Sequence, residues 1–285
     1  MKVRPKFIHG TVAVMAAAVA LSLAVAAPAG ASRAGAPDLP TVSMEAVLKA
    51  AEIDPRRADN TLTPGAKDSV LLVEQALAAR GLLVDQYVDG YFGTTTIAAY
   101  AAFQESLGYN GIDASGYPGV TSLQALGAER FTVTNTISVG AKVTYDGGLM
   151  NTRTRTMLMA AERSLGTRLT VIQGSYNPGG DPTSAGTHDG GGVLDVSVDG
   201  MTPQTRTNVA RNLREAGFAA WVRTPSQGDW DYHIHAVALS DPDQSSQAQH
   251  QSGDYYLGLN GLANRAADDG TPVTPILTWE EIRSR

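Results

Sequence analysis

Four residues in the second half of the chain have types and spacing suited to metal chemistry. His188 and Asp195 flank a glycine run at 190–192, and His233 and His235 follow in a later segment. A catalytic zinc ion usually takes three protein ligands from His and Asp or Glu and leaves a fourth position open for water. Zinc lowers the pKa of that water to about 7, which provides a nucleophile at neutral pH. The fourth residue would then serve as the general acid or base beside the water.

The segments that carry these residues have the alternation typical of β-strands. Side chains along a strand point alternately to its two faces, so His233 and His235 should share one face. Around Asp195, apolar residues alternate with polar ones, which predicts that its carboxylate lies on the polar face of its own strand. The glycines at 190–192 permit close backbone approach, so a flexible turn can carry His188 to that strand.

The order of these four residues resembles that of a known group of zinc enzymes. His188 is followed by six residues and then Asp195, and a His-x-His pair comes later. This pattern is similar to the zinc peptidases of the lysostaphin, D-Ala-D-Ala metallopeptidase and hedgehog group, which cleave peptidoglycan peptides. The resemblance covers roughly residues 130–240 and implies that Zn²⁺ is held by His188, Asp195 and His235. It also implies that His233 is the catalytic imidazole.

The chain departs from the carboxypeptidase branch of that group upstream of the site. That branch has a Ser two residues before the first His and an Arg after Ser-Gly-Tyr. Here Gly186 occupies the first position, and Asn177 follows Gly-Ser-Tyr at 174–176. Four arginines could replace the missing one as the ligand of a terminal carboxylate: Arg153, Arg155, Arg168 and Arg223. The sequence therefore leaves open both a carboxypeptidase and an endopeptidase, which meets no free carboxylate.

Further residues near the four are candidates for supporting roles. We expect Tyr176, Asn177 and Trp230 to line the substrate cleft. Asp231 is the best candidate to orient the imidazole of His233, because carboxylates behind metal-binding histidines commonly fix their tautomer.

Each of these residues alone also has an ordinary structural explanation. A single His is usually satisfied by hydrogen bonds in the core or at the surface, and an Asp near glycines usually belongs to a turn. The metal interpretation depends on all four residues occurring in the expected order. A two-metal nuclease or phosphatase site would need more clustered carboxylates than Asp195 and its neighbours offer.

Residues 1–31 have the pattern of a secretory signal peptide. Three basic residues precede an apolar run at 11–27, and Ala-Gly-Ala at 29–31 provides a small-residue cleavage site. The run is slightly short for a membrane span, although an uncleaved N-terminal anchor stays the alternative. We therefore expect a secreted protein without stable membrane insertion after cleavage, and the resemblance to peptidoglycan peptidases implies that it associates with the cell wall.

Composition excludes several partners and mechanisms. The net charge of −6 argues against nucleic acid or an anionic membrane as a partner. The chain has no cysteine, so neither disulfides nor a thiol nucleophile can contribute. Packing, and a bound metal ion, must then stabilise the exported protein.

The remaining pattern predicts two folded domains with flanking segments. Residues 32–62 are predicted to be a linker with one short helix at 44–52, N-capped by Ser43. Helical periodicity dominates 63–129, whereas 130–245 combines helices with short strands. Residues 246–285 show little periodicity and are expected to form a tail that wraps or frays, with no assigned function.

The helical segment 63–129 contains a short internal repeat. The loop at 89–97 and the loop at 113–123 each have turn residues before a Gly, a Thr and an apolar helix start. The matching positions are Gly93, Thr95 and Ile97 in one loop, and Gly119, Thr121 and Leu123 in the other. The segment closely resembles the peptidoglycan-binding domain found beside many wall hydrolases, a small three-helix fold. The alternative is a helical packing module whose aromatic residues are only core.

Together these patterns predict an α+β protein. It would have a small three-helix N-terminal domain and an α+β domain whose small, mainly antiparallel sheet carries a His/Asp/His zinc site. The predicted function is a secreted zinc-dependent peptidase that acts on peptidoglycan peptides, of the endopeptidase or D,D-carboxypeptidase type. The alternative is a non-catalytic peptidoglycan-binding wall protein with a structural or vestigial metal site.

Overall fold

The computed structural model describes residues 38–285. The predicted signal peptide at 1–31 and the start of the predicted linker lie outside the described residues. From Leu39 to Arg285 the chain forms one compact unit. Within the described part, every helix is too short or too polar to cross a membrane.

The fold is α+β with small, mainly antiparallel sheets. The helices are α1 (Met44–Ile53), α2 (Lys67–Ala78), α3 (Thr94–Ser106), α4 (Val120–Gly127), α5 (Thr152–Leu165), α6 (Pro203–Glu215), α7 (Ser246–Tyr256) and α8 (Trp279–Arg283). The strands are β1 (Thr41–Ser43), β2 (Thr132–Thr134), β3 (Lys142–Tyr145), β4 (Gly148–Asn151), β5 (Val171–Gln173), β6 (Val193–Ser197), β7 (Phe218–Arg223) and β8 (His233–Ala238). β1 and β2 form a parallel pair, β3 and β4 an antiparallel pair, and the largest sheet is antiparallel in the order β5-β6-β8-β7.

The four-stranded sheet is covered on both faces. On one face its alternate apolar residues pack against α5 and α6 in one core, which includes Leu194, Ile234 and Phe218. On the other face, Val193 and Val237 pack with residues of α7 in a second core. The face toward α7 is also the face that carries Asp195 and His235, because these residues alternate with the first set.

The helices behind the sheet have the boundaries that their capping residues favour. The side chain of Asn151 accepts a hydrogen bond from Thr154 N at 2.8 Å and so begins α5. Thr202 caps α6 in the same way, ahead of a proline at the first helical position. Gly166 and Gly217 end the two helices with positive φ, which glycine adopts without steric cost.

Helices α1 to α4 share a core with the β1–β2 pair. Three of them, α2, α3 and α4, lie within the predicted helical segment 63–129. The fourth, α1, confirms the short helix predicted after Ser43, whose hydroxyl accepts a hydrogen bond from Ala46 N. Because this core continues into the compact unit that reaches Arg285, a separate three-helix domain stays a prediction.

The described part of the predicted linker 32–62 packs into the fold where its residues form β1 and α1. Val42, Met44, Val47 and Leu48 are completely buried in the helical core. The segment is rich in alanine, which is also common in linkers. In α1, however, the small alanine side chains let the helix lie close against its neighbours.

The C-terminal segment 246–285 is also more ordered than the expected fraying tail. Helix α7 packs against α1 and β8, and Asp254 on α7 forms a bidentate ion pair with Arg56 at 2.8 and 2.9 Å. Glu280 on α8 binds the buried Arg153 in the same manner. The segment wraps around the fold through polar contacts, which is why hydrophobic periodicity did not reveal it.

Glu52 on α1 joins the helical core to the chain after β8. Its Oε1 accepts a hydrogen bond from Ser240 N at 2.8 Å, and burial raises its pKa from 4.5 to about 7. Between pH 4.5 and about 7, the folded protein therefore keeps a proton that the unfolded chain has released. The free energy of unfolding must fall as the pH rises through this window.

We expect Glu52→Gln to remove this pH-dependent decrease in the free energy of unfolding. The decrease amounts to about 3 kcal/mol, since each pKa unit corresponds to roughly 1.4 kcal/mol. Urea unfolding at the two ends of the window measures the difference between variant and wild type. Glu105→Gln, which alters an exposed carboxylate on α3, should follow the wild type. A Glu52→Gln protein with the wild-type pH dependence would contradict the assignment.

Candidate metal centre

The register of the four-stranded sheet brings the predicted residues together on one face. Asp195 on β6 pairs with His235 on β8, and Trp221 on β7 lies beyond His235 in the same row. His233 and Arg223 are partners in the next row on that face. The two histidines point the same way, as strand alternation predicts.

A glycine turn carries His188 to this face from outside the sheet. His188 lies in a short 3-10 turn, Thr187–Asp189, directly before the glycines. A Cβ at Gly190 would collide with the backbone carbonyl of Asp243, and Gly191 donates a backbone hydrogen bond to the same carbonyl. The glycines are therefore required because the turn lies directly against the chain at Asp243.

His188, Asp195 and His235 form a compact buried group. His188 Nε2 lies 3.3 Å from Asp195 Oδ2, and His235 Nδ1 lies 2.8 Å from Asp195 Oδ1. One possible ligand atom from each residue lies within 4.8 Å of the other two. His233 Nε2 is farther from the carboxylate, at 3.8 Å, and its side chain is more exposed. This group of three could hold a metal ion.

The hydrogen bonds behind the imidazoles fit a metal ion in front of them. Nδ1 of His188 lies 2.9 Å from the carbonyl of Gly174, which assigns the ring proton to Nδ1. Nε2 of His188 has no well-formed hydrogen bond within residues 38–285, although Asp195 Oδ2 lies 3.3 Å away; burial lowers the pKa of the imidazole, but this carboxylate raises it overall. Buried polar atoms are rarely left without a partner, so this nitrogen could bind a metal ion.

The electrostatics of the group also suit a cation. Burial alone would raise the pKa of Asp195, but the imidazoles of His235 and His188 lower it well below its usual value. Burial lowers the pKa of His235, which favours the neutral imidazole that binds metals. An ionised carboxylate beside a neutral imidazole provides the charge and the lone pairs that a divalent ion requires.

Gln251 on α7 contacts the site but was missed by sequence reasoning. Its Oε1 lies 2.8 Å from Nε2 of His235, and its own Nε2 donates a hydrogen bond to Gly261 O at 3.2 Å. The second bond fixes the orientation of the amide, so Oε1 must face the imidazole. Nε2 of His235 therefore donates its proton to Gln251, and Nδ1, which lies 2.8 Å from Asp195 Oδ1, is the nitrogen that could bind a metal ion.

We expect Gln251→Leu to weaken zinc binding by roughly 10- to 100-fold, the usual effect of losing a residue that orients a ligating histidine. Competition with a chromogenic chelator measures the affinity. Gln247→Leu alters an exposed residue of the same helix and is the matched control. Equal affinity in the two variants would mean that Gln251 does not orient His235.

Asp231 orients His233, but through its main chain. Nδ1 of His233 lies 2.8 Å from the carbonyl oxygen of Asp231, so Nε2 faces the site. The expectation of a carboxylate partner is corrected in this respect. Asp231 lies just before β8, where its backbone and not its side chain is directed at the imidazole.

A cavity of about 620 Å³ opens over the group of three. Trp230 lines it, as predicted, together with His233 and Gln251. Tyr176 and Asn177 lie outside its lining. Tyr176 instead donates a hydrogen bond to Asp243 Oδ2 at 2.6 Å, and the backbone of Asn177 bonds to the carbonyl of His188. Both residues support the turn that positions His188.

The four arginines that could replace the missing one lie in different surroundings. Arg153 is buried in its pair with Glu280, and Arg168 is an exposed residue beside Glu162. Of the four, Arg223 lines the cavity.

Comparisons of the chain with protein-family models, with curated proteins and with solved structures find no match. The two family resemblances therefore stay predictions.

Proposed function

We propose that this protein is a zinc-dependent peptidase that acts on the peptides of peptidoglycan. One observation carries the proposal: three buried ligand atoms, of His188, Asp195 and His235, converge at the floor of a cavity. Two imidazoles with one carboxylate are a ligand set typical of catalytic zinc. Nε2 of His188, which has no well-formed hydrogen bond in the described chain, supports a resident ion at this point.

The chemistry follows from the positions of the side chains. When bound, zinc would polarise the amide carbonyl and lower the pKa of a water molecule to about 7. His233 has Nδ1 held by the carbonyl of Asp231, so its Nε2 is available at the cavity. There it can take up the proton of the attacking water and return it to the departing amine. It can also stabilise the negative charge on the oxygen of the tetrahedral intermediate. The cavity volume is within the range of small-molecule and peptide sites.

We further propose that the segment 63–129 binds peptidoglycan and so raises the effective concentration of substrate at the metal centre. The two similar loops at 89–97 and 113–123 support this proposal, because Gly93 and Gly119 occupy equivalent positions at the N-caps of α3 and α4. The signal-like pattern at 1–31 supports secretion to the cell wall, and the net charge of −6 does not favour nucleic acid.

The test is amine release from purified peptidoglycan. Zinc-loaded protein should release new amines, and protein stripped with a chelator should not until zinc is restored. Sedimentation with the insoluble wall reports binding separately. Wall binding without amine release in the zinc-loaded protein would instead identify a non-catalytic wall protein with a structural metal site.

A further inference from the structure

Arg223 is a buried cation whose hydrogen bonds are incomplete. Its side chain lies at the end of β7, in the row that contains His233, and the residue is 3% exposed. Nη1 donates a hydrogen bond to the carbonyl of Asn260 at 2.8 Å, and the guanidinium lies 4.7 Å from the centre of the Trp221 ring. Nη2 is buried and has no hydrogen-bond partner within the described chain.

Such an arrangement costs free energy unless a ligand completes it. A buried guanidinium normally has acceptors for its donors, because a buried charged group that lacks partners is strongly destabilising. Burial lowers the pKa of Arg223 to about 10, so the group still carries its charge at neutral pH. Asn260 and Trp221 hold it in place, so it can meet an anion without first losing side-chain freedom.

Other unsatisfied donors belong to residues around the same cavity. Gln173 Nε2 and Trp230 Nε1 are buried without partners in the described chain, and both residues line the cavity. Gln173 pairs with Asp195 across β5 and β6, on the opposite side of the site from Arg223. The cavity therefore offers several N–H groups to a ligand that is rich in acceptor oxygens.

The charge of the lining locates the anionic part of that ligand. Of the cavity-lining residues in the described chain, Arg223 is the one Lys or Arg. Asp181, Asp195, Asp229 and Asp231 also line the cavity and would repel an anion, so Arg223 is the lining group that can attract one. A carboxylate would thus be attracted to Arg223, beside the imidazole of His233.

We propose that Arg223 binds a free carboxylate of the substrate, on the part of the peptide that departs with the amine. This inference rests on the proposed function, because it places the carboxylate next to His233, the residue that would protonate the leaving amine. The substrates would then be peptides that are cut next to a free carboxylate. The missing upstream arginine had left this substrate class open. That carboxylate belongs either to the C-terminal residue or to an acidic side chain next to the cleaved bond.

The test compares peptide binding to zinc-loaded His233→Ala protein, in which the peptides stay intact. The probes are acetyl-Lys-D-Ala-D-Ala with a free carboxylate, the same peptide as its C-terminal amide, and a C-terminal amide that ends in D-Glu. Calorimetry or the fluorescence of Trp221 and Trp230 reports binding. We expect the free acid to bind about 10- to 100-fold more tightly than the alaninamide, as a hydrogen bond to a charged group predicts.

Adding Arg223→Gln to that background should abolish the preference, and Arg223→Lys should restore part of it. Arg211→Gln, which alters an exposed arginine on α6, should leave the preference unchanged. Zinc affinity provides the check that each variant retains the folded site. If the D-Glu amide, and not the free acid, binds more tightly than the alaninamide and depends on Arg223, the carboxylate is that of a side chain.

The inference would be overturned if both carboxylate probes bound no more tightly than the alaninamide, if neither of them bound, or if the preference survived Arg223→Gln. These outcomes are distinct from failure of the peptidase proposal. That failure is an absence of amine release from peptidoglycan by the wild-type, zinc-loaded protein, and it leaves the binding comparison readable.

Discussion

His188→Ala is expected to abolish stoichiometric zinc binding, with a loss of affinity larger than the roughly 100-fold that follows loss of an orienting residue. The wild type should bind roughly one zinc ion per chain through three protein ligands. Without His188, Asp195 and His235 still face each other at 2.8 Å, but only two ligands remain. Metal analysis after dialysis, with chelator competition for the affinity, measures the effect.

His250→Ala is the matched control, because His250 is an exposed imidazole on α7 outside the group of three. It should retain the wild-type zinc content. The metal centre would be lost from the proposal if wild type bound no zinc, or if His188→Ala bound zinc as tightly as His250→Ala. Loss of zinc should also lower the thermal stability of the wild type, since an ion that binds the folded state stabilises it.

His233→Ala is expected to reduce the rate of amine release from peptidoglycan by about 10²- to 10⁴-fold, the usual contribution of a general acid or base. Its zinc affinity should stay close to that of the wild type, because His233 Nε2 lies 3.8 Å from Asp195 and outside the group of three. The separation of these two effects distinguishes a catalytic imidazole from a ligand. It is measured with the amine assay and the chelator competition on the same preparations.

Two results would contradict this assignment. Equal amine release by His233→Ala and wild type would remove the catalytic role of His233. A zinc loss as large as that of His188→Ala would make His233 a ligand. Sedimentation with the wall should be unchanged in either variant, since the segment 63–129 is untouched.

The polar contacts of the C-terminal segment have a consequence for the site. Gln251 reaches His235 from α7, and α7 is itself held through Asp254 to Arg56, which lies in the turn directly after α1. Arg265 binds both Asp254 and the carbonyl of Arg56. The helical core, the C-terminal segment and the metal centre are therefore connected by direct contacts, and α7 contributes to the site instead of only covering it.

The sequence by itself determined the local part of the metal centre. Strand alternation is a property of the backbone, so the common face of His233 and His235 and the polar position of Asp195 followed from the residue order. The same holds for the helix after Ser43.

Only the tertiary structure decided which distant residues meet these side chains. Gln251 and Arg223 reach the cavity, whereas Tyr176 turns to Asp243, because helix packing and strand order bring together residues far apart in the chain. Segments such as α7 are buried through hydrogen bonds and ion pairs, which leave no periodic signal in the sequence. The candidate ligands could thus be predicted from their local spacing in the sequence. The supporting residue Gln251 and the cavity residue Arg223 could not, because long-range packing brings them to the site.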